Sequence, residues 1–122
     1  MRFFNNLLGK KNKKVEQASS PSEHAVLVHF FYGSLDLSRL FDLENQLVEV
    51  ITSAGVGEYD GNEVASDGSE GTLYLYGPDA DALFAAVRPT LEAVDFMHGA
   101  RVQLRFGPPV DGVRKVEVVI GT

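Results

Sequence analysis

The sequence of 122 residues contains no cysteine. This absence excludes disulfide bonds, thiolate metal sites, iron–sulfur clusters and a cysteine nucleophile. No stretch approaches the roughly 18 consecutive apolar residues of a membrane-spanning helix. A secretory signal is not expected either, because the apolar residues near the amino terminus precede the lysines instead of following them. The sequence therefore predicts a protein of the cytoplasm.

Positive charge is scarce outside residues 1–14 of the chain. There are 17 acidic and 11 basic residues, and the formal net charge is −6. Residues 1–14 carry five of the basic residues and no acidic one, so residues 15–122 hold 6 basic and 17 acidic residues. A body this acidic repels phosphate backbones, so nucleic-acid binding is not expected, whereas a basic protein partner is favoured.

The amino-terminal segment combines apolar and basic side chains. If residues 1–14 form a helix, the apolar side chains share one face and lysines follow directly. This pattern is typical of a weak peripheral contact with a membrane surface, and the alternative is a disordered start that aids solubility. The residues concerned are Phe3, Phe4, Leu7, Leu8, Lys10 and Lys11. Residues 15–23 are small and polar, which predicts a linker. The chain thus divides into a leader with its linker, residues 1–23, and a single domain, residues 24–122.

The domain begins with a nearly continuous apolar stretch, residues 24–33, which predicts a central strand. Asp36 is a candidate helix cap and Gly55 a candidate helix end. The helix between them carries one apolar stripe that we expect to be buried. The stripe consists of Leu37, Leu40, Phe41, Leu47, Val48 and Ile51. Residues 56–66 predict a weak strand broken by glycine, and residues 72–77 alternate as a strand does.

The second half repeats this pattern. Pro78 and Asp79 open another predicted helix, and Pro89 is expected to kink or split it. Residues 100–106 and 113–120 predict two further strands. The side chains of the last strand that we expect to face inward are Val116, Val118 and Ile120.

The resulting order is β-α-β-β-α-β-β, and its two halves echo each other. In each half a Tyr-Gly pair ends a strand and precedes a helix that carries Leu-Phe. Two such halves predict an α+β ferredoxin-like sandwich, with two helices on one face of an antiparallel sheet. The added C-terminal fifth strand would extend the sheet beside the fourth as a hairpin.

Three short elements carry a resemblance to a protein family. Residues 57–63 are GEYDGNE, residues 76–81 are YGPDAD and residues 104–109 are LRFGPP. The chain resembles small bacterial proteins that have a G-E-x-D-G-N-E element and a Y-G-P-D-A-D element and that lack an assigned function. The resemblance implies a bacterial source and one compact domain. It implies no activity, ligand or catalytic residue.

The weak strand and the turn after it form an acidic hairpin. Five carboxylates lie within residues 58–70, with no basic residue among them. Complementary charge steers association, so this hairpin is a candidate surface for a basic protein. Two alternatives are an edge strand protected from aggregation by glycine and charge, and a site for a divalent cation, although the spacing fails the EF-hand pattern. The five residues are Glu58, Asp60, Glu63, Asp67 and Glu70.

The sheet face without helices is the second candidate surface. Alternation along the strands predicts that this face presents Tyr74, Tyr76, Arg101, Gln103 and Arg105. Either Phe30 and Tyr32 or His29 and Phe31 would join them from the first strand. Tyrosine and arginine are enriched at protein interfaces, so we expect a homodimer or another protein partner here. RNA binding is disfavoured, because the signature of RNA-recognition domains is absent.

No motif specific for catalysis is present. The sequence has neither Gly-x-Ser-x-Gly nor a phosphate-binding loop, and its three histidines do not form a zinc-binding pair. We therefore assign no catalytic residue, cofactor or metal site. The expected function is that of a non-enzymatic, acidic protein-binding module of the bacterial cytoplasm, of which an inhibitor or immunity-type protein is one concrete version. The alternative is a small enzyme or small-ligand-binding domain that uses the open sheet face or the helix-start turns at residues 34–36 and 78–81.

Overall fold

A computed structural model describes residues 23–121, which form five strands, two α-helices and one short 3₁₀ helix. In chain order these are β1 (His24–Phe31), α1 (Ser38–Ala54), β2 (Glu58–Val64), β3 (Glu70–Gly77), α2 (Ala80–Glu92), the 3₁₀ helix (Asp95–Met97), β4 (Arg101–Arg105) and β5 (Lys115–Val119). Within these residues, no helix combines the length and the apolarity needed to cross a bilayer. The predicted α+β class, with two helices and five strands, is confirmed.

The five strands form one sheet in the order β2-β3-β1-β4-β5. Each neighbouring pair is antiparallel. The most apolar strand, β1, lies in the middle and pairs with β3 on one side and β4 on the other. Val28 shows the register, because it lies opposite Leu73 on β3 and Val102 on β4. All three side chains are fully buried, so one face of the sheet is the core face.

The two helices cover that core face. Helix α1 packs over β2, and α2 packs over β1, β3 and β4. Alternate residues of the strands and one stripe of each helix meet between the layers. The largest fully buried side chains are those of Phe30, Leu40, Leu43, Leu47, Ile51, Leu73, Leu75, Leu83, Leu91, Met97, Ile120 and Val26. Within residues 23–121, no helix lies on the opposite face of the sheet.

The buried stripe of α1 is narrower than the sequence predicts. Leu40, Leu47 and Ile51 are buried as expected, but Phe41 is 51% exposed and Val48 is 47% exposed. These two residues each follow a core-facing leucine by one position, which turns them about 100° around the helix and away from the sheet. The helix ends at Gly55 as predicted, with the left-handed φ of 66° that favours glycine at this position.

Helix α2 continues through Pro89, so the expected split is wrong. Asp79 caps its start by accepting hydrogen bonds from two backbone amides, as predicted. Proline removes the amide that would bond the carbonyl of Ala85, but Ala85 is exposed and its carbonyl remains accessible to water. Val87 and Leu91, on either side of the proline, are fully buried. Their burial outweighs the loss of one hydrogen bond.

The last strand is less buried than predicted. Val116 lies opposite Leu104 and so has the expected orientation, yet it is 36% exposed, whereas Ile120 is fully buried. The reason is that β5 is the edge strand beyond β4, whereas α2 packs over β1, β3 and β4.

Candidate functional site: the open face of the sheet

The open face is the side of the sheet that the helices leave uncovered. Phe30 is fully buried on the core face, so alternation directs His29 and Phe31 of β1 to the open face. This resolves the choice that the sequence left between two pairs of residues. Leu27 of β1 lies between Tyr74 of β3 and Gln103 of β4. The predicted residues Tyr74, Tyr76, Arg101, Gln103 and Arg105 thus lie on the same surface as Leu27, His29 and Phe31.

The inner strands of this face, β1 and β3, carry aromatic and apolar side chains. Phe31 is 71% exposed, and the ring of His29 contacts it edge to face with 5.3 Å between the ring centroids. Tyr74 and Tyr76 are half-buried on the neighbouring strand β3. A large aromatic side chain exposed to this extent costs free energy in water, which a bound partner would recover.

Acidic side chains line one margin of the open face. Glu58 and Glu63 of β2 lie opposite Tyr76 and Thr72 of β3. The phenol of Tyr74 donates a hydrogen bond to the Glu63 carboxylate. Glu70 at the start of β3 lies within 2.6 Å of His29 Nε2, which links the acidic margin to β1.

The predicted acidic hairpin therefore divides. Glu58, Glu63 and Glu70 belong to the open face, and the two surfaces inferred from the sequence are one continuous surface. Asp67 has a local role instead, because its carboxylate accepts a 3.0 Å hydrogen bond from the Ser69 amide and shapes the turn. Hydrogen bonds from the Ser69 side chain and from its backbone amide lower the pKa of the Asp67 carboxyl. Asp60 lies in the irregular part of β2, between Tyr59 and Asn62, where the register with β3 shifts.

Basic side chains line the opposite margin. Arg101 and Arg105 of β4 lie opposite Val119 and Lys115 of β5. Arg105 Nε donates a 2.7 Å hydrogen bond to the carbonyl of Gly107, which holds its guanidinium in place. Partial burial lowers the pKa of Arg105, although arginine stays charged at any physiological pH.

A shallow depression lies on the basic side of the open face. It has a volume of about 260 Å³ and is lined by Leu27, His29, Arg101, Gln103 and Glu117. Its walls come from three adjacent strands, so it is a shallow dip between side chains on one face of the sheet. A surface of this shape suits a protein partner better than a small molecule, which binds in an enclosing cleft.

The two tyrosines of β3 are protonated donors at neutral pH. Burial, followed by the Asp60 charge, raises the pKa of Tyr76 to about 12, and Arg105 opposes this rise. Burial and the Glu63 carboxylate raise the pKa of Tyr74. Both phenols therefore act on this face as neutral hydrogen-bond donors with broad apolar rings.

The helix-start turns use their polar groups locally. The Ser34 hydroxyl accepts from the Asp36 amide at 3.0 Å, and the Asp36 carboxylate accepts from the Ser38 amide at 3.0 Å. The latter contact lowers the pKa of the Asp36 carboxyl. Asp36 thus supports the start of α1 from the position before its formal cap, Leu37. In the second turn, Asp79 caps α2 in the same manner.

Another depression lies outside the open face. It measures about 410 Å³ between α1 and the 3₁₀ helix, and exposed Arg39 and Asp95 form an ion pair at its rim. Arg39 also stacks on Phe96, 4.9 Å from the ring centroid. Across residues 23–121, no three histidine and carboxylate side chains converge on a point where a metal ion could be held.

Two features of the site were missed by sequence reasoning. The pairs His29–Glu70 and Tyr74–Glu63 join residues 41 and 11 positions apart. Strand alternation is the signal that assigns each residue to a face, but the pairing requires the register of three strands. The six leader residues proposed for membrane contact, and most of the linker, lie outside the described residues.

Within residues 23–121, fold and site together define a small α+β domain with one sheet face covered by helices and one face of mixed charge that no described helix covers. No family model matches the chain. No curated protein matches it. Among solved structures, the chain is similar to the structure of Rv0793 from Mycobacterium tuberculosis, with 18% identity and a TM-score of 0.45 over 83% of this chain and 97% of that chain.

Proposed function

We propose that this chain is a non-enzymatic protein-binding module of the ferredoxin-like class and that the open face is its binding surface. The ferredoxin-like assignment is supported by the strand order, in which the second half of the β-α-β-β-α-β unit inserts β3 between β1 and β2. The fifth strand extends the sheet at β4.

One observation carries the functional proposal. Aromatic side chains lie on the inner strands β1 and β3 of the open face, and charged side chains of opposite sign line its two margins. Protein interfaces have this anatomy, with a core enriched in tyrosine, phenylalanine and arginine and a polar rim. The exposed ring of Phe31 and the half-buried rings of Tyr74 and Tyr76 supply the anchors.

The margins define what the partner must present. Opposite Glu58 and Glu63 the partner would carry basic groups, because complementary charge speeds encounter and fixes the orientation of the complex. A protein that covers a basic site, such as an inhibitor or immunity-type protein, would use the acidic margin in this way. The same logic requires acidic groups on the partner opposite Arg101 and Arg105.

The test removes the acidic margin without changing its shape. The variant Glu58→Gln, Asp60→Asn, Glu63→Gln should bind the captured partner more slowly and with a weaker dependence on salt. Thermal melting should remain almost unchanged, because each substitution keeps the shape of the side chain and the glutamine that replaces Glu63 retains an oxygen that can accept from Tyr74. A matched control makes the same kind of change on the helices, Asp42→Asn, Glu49→Gln and Asp81→Asn.

Partners are first captured from the native organism with the full chain and identified by mass spectrometry. Kinetics for both triple variants are then measured across a salt series. Equal association rates for the two variants would contradict the proposal. A large loss of stability in the first variant would instead show that these carboxylates hold the fold together.

A further inference from the structure

The charge on the open face changes sign across β1. Acidic residues lie on the β2–β3 side and basic residues on the β4–β5 side, and β1 is the middle strand of the five. The side chains that define the two margins are Glu58, Glu63 and Glu70 on one side, and Arg101, Arg105 and Lys115 on the other. Glu117 also lies on the basic side, opposite Gln103. A surface with this pattern presents both the acidic and the basic groups that its partner must have.

Symmetry limits how two copies of such a face can meet. A face-to-face dimer with two-fold symmetry has its axis in the plane between the two sheets. An axis that runs across the strands would place the acidic margin of one copy on the acidic margin of the other. An axis that runs along β1 places the acidic margin of each copy on the basic margin of the other. The charge pattern therefore selects the axis along β1.

The strand registers show which residues would then face each other. Tyr76, Ala25 and Arg105 lie at one level of the sheet, with Glu58 and Lys115 at its two ends. Rotation about β1 brings Glu58 over Lys115 of the second copy and Tyr76 over Arg105 of the second copy. The first contact is an ion pair, and the second places a guanidinium over an aromatic ring.

Residues of β1 lie on the axis and would meet their own counterparts. Leu27 and Phe31 are the large apolar side chains there, and Phe31 is 71% exposed in the single chain. Two sheets packed in this aligned manner cross at about 30°, the usual angle for sheet-on-sheet packing. Strand spacings of about 4.8 Å and rises of about 3.3 Å give a face of about 500 Å². This area is below the roughly 800 Å² per partner of a standard interface, which is typical of weak and transient association, so we expect a dimer with a dissociation constant on the order of micromolar.

We infer that the partner bound by the open face is a second copy of this chain, in a dimer whose two-fold axis runs along β1. The inference rests on the proposed function, because it names the occupant of the same surface. The two copies each have a net charge of −6. Physiological salt screens this general repulsion but leaves contacts at the interface less affected.

The experiment uses charge exchange on the full chain. One variant carries Glu58→Lys and Glu63→Lys, which makes both margins basic. The other carries Arg101→Glu, Arg105→Glu and Lys115→Glu, which makes both margins acidic. Sedimentation velocity at about 0.15 M salt follows the mass as a function of concentration, starting from 13.3 kDa for one copy. Asp42→Lys with Glu49→Lys on the exposed side of α1 is the matched control.

The unaltered chain and the control should dimerise alike. Each open-face variant alone should dimerise about tenfold more weakly or worse, because like charges now face each other. An equimolar mixture of the two should form a heterodimer, because opposite charges face each other again at both margins. Phe31→Ala should weaken the dimer in every combination, and circular dichroism verifies that each variant is folded.

Two results would overturn the dimer. One is an unaltered chain that stays at the mass of one copy up to about 100 µM, well above the expected range. The other is a mixture of variants that remains monomeric while each variant is folded. A monomeric chain whose binding to a captured partner still depends on Glu58 and Glu63 would leave the proposed function intact and refute only the second copy as the occupant.

Discussion

The phenol of Tyr59, on edge strand β2, donates a hydrogen bond to the carboxylate of Glu44 on helix α1. The same carboxylate oxygen accepts a 2.7 Å hydrogen bond from the side-chain amide of Asn62. The register between β2 and β3 shifts between Tyr59 and Asn62, so Glu44 holds the strand on both sides of its irregularity. The acidic margin of the open face depends on this anchor, because Glu58 and Glu63 flank the same segment.

The first prediction concerns this anchor. Glu44→Gln and Tyr59→Phe should each lower the free energy of unfolding by about 1–2 kcal/mol, because each removes a charge-assisted hydrogen bond in a partly buried place. The loss of unfolding free energy in the double variant should be smaller than the sum of the two single losses by at least about 0.5 kcal/mol, because the residues share one interaction. Urea denaturation measures all three, with the exposed Glu49→Gln on the same helix as control. Strict additivity would contradict the direct coupling.

The second prediction concerns alkaline pH. Burial is the largest cause that raises the pKa of Tyr59, Tyr74 and Tyr76 above the ordinary 10.0, and nearby carboxylates add to it. Above pH 10 the unfolded chain therefore releases phenolic protons that the folded chain retains. The unfolded state then binds fewer protons, so stability should fall as the pH rises above about 10.

Melting temperatures between about pH 8 and pH 11 measure this decline. Tyr59→Phe should make the decline shallower, because one of the three phenols is then absent. Near-ultraviolet absorbance offers an independent reading, in which three of the four phenolates should appear together with unfolding. If these three tyrosines ionised near pH 10 in the folded protein, the physical explanation would be wrong.

The third prediction concerns Gly57, where the chain enters β2. A Cβ atom at this position would lie 2.1 Å from the carbonyl oxygen of Tyr76, and the φ of 149° is one that other residues rarely adopt. Gly57→Ala should therefore destabilise the fold by about 2–4 kcal/mol and disturb the pairing of β2 with β3.

Gly33 provides the matched control. Its φ is 80°, but a Cβ atom there would meet nothing within 4 Å. Gly33→Ala should cost only the backbone strain, about 1–2 kcal/mol. Chemical denaturation of both variants separates strain from steric clash, and equal losses would show that the close approach to Tyr76 does not matter.

The fourth prediction concerns the leader, residues 1–14. Phe3, Phe4, Leu7 and Leu8 offer a small apolar face, and each basic residue near an anionic surface contributes about 1 kcal/mol. The full chain should sediment with vesicles that contain anionic lipid at low salt and should be released as salt rises. A version that starts at residue 15 should stay in solution, and equal behaviour of the two would exclude the membrane contact.

Much of the fold follows from local patterns in the sequence. Strict alternation in residues 72–77 predicts a strand whatever its neighbours are, and the glycine at position 55 ends a helix because it adopts a left-handed φ easily. The capping by Asp79 is equally local, since its side chain bonds amides only two and three residues away. The order of the elements and the two helices are determined at this level.

Burial at the margins of the layers was not determined by sequence. Phe41 and Val48 are apolar and exposed, and Val116 faces the core side with little above it. Local periodicity states which way a side chain points but not whether another element covers it. The position of Pro89 inside a continuous helix was likewise not predictable from local pattern, because the helix tolerates it through the burial of Val87 and Leu91 on either side.

The open face itself was decided by tertiary structure. The sequence identifies Tyr74 and Arg105 as facing away from the helices, and Glu58 and Glu63 as part of an acidic hairpin. Only the pairing of β2 with β3, and of β3 and β4 with β1, places all of them on one surface with acid and base at opposite margins. Strand alternation has a period of two and acts within one strand. The register between strands that are far apart in the sequence, such as β1 and β3, depends on how the whole core packs.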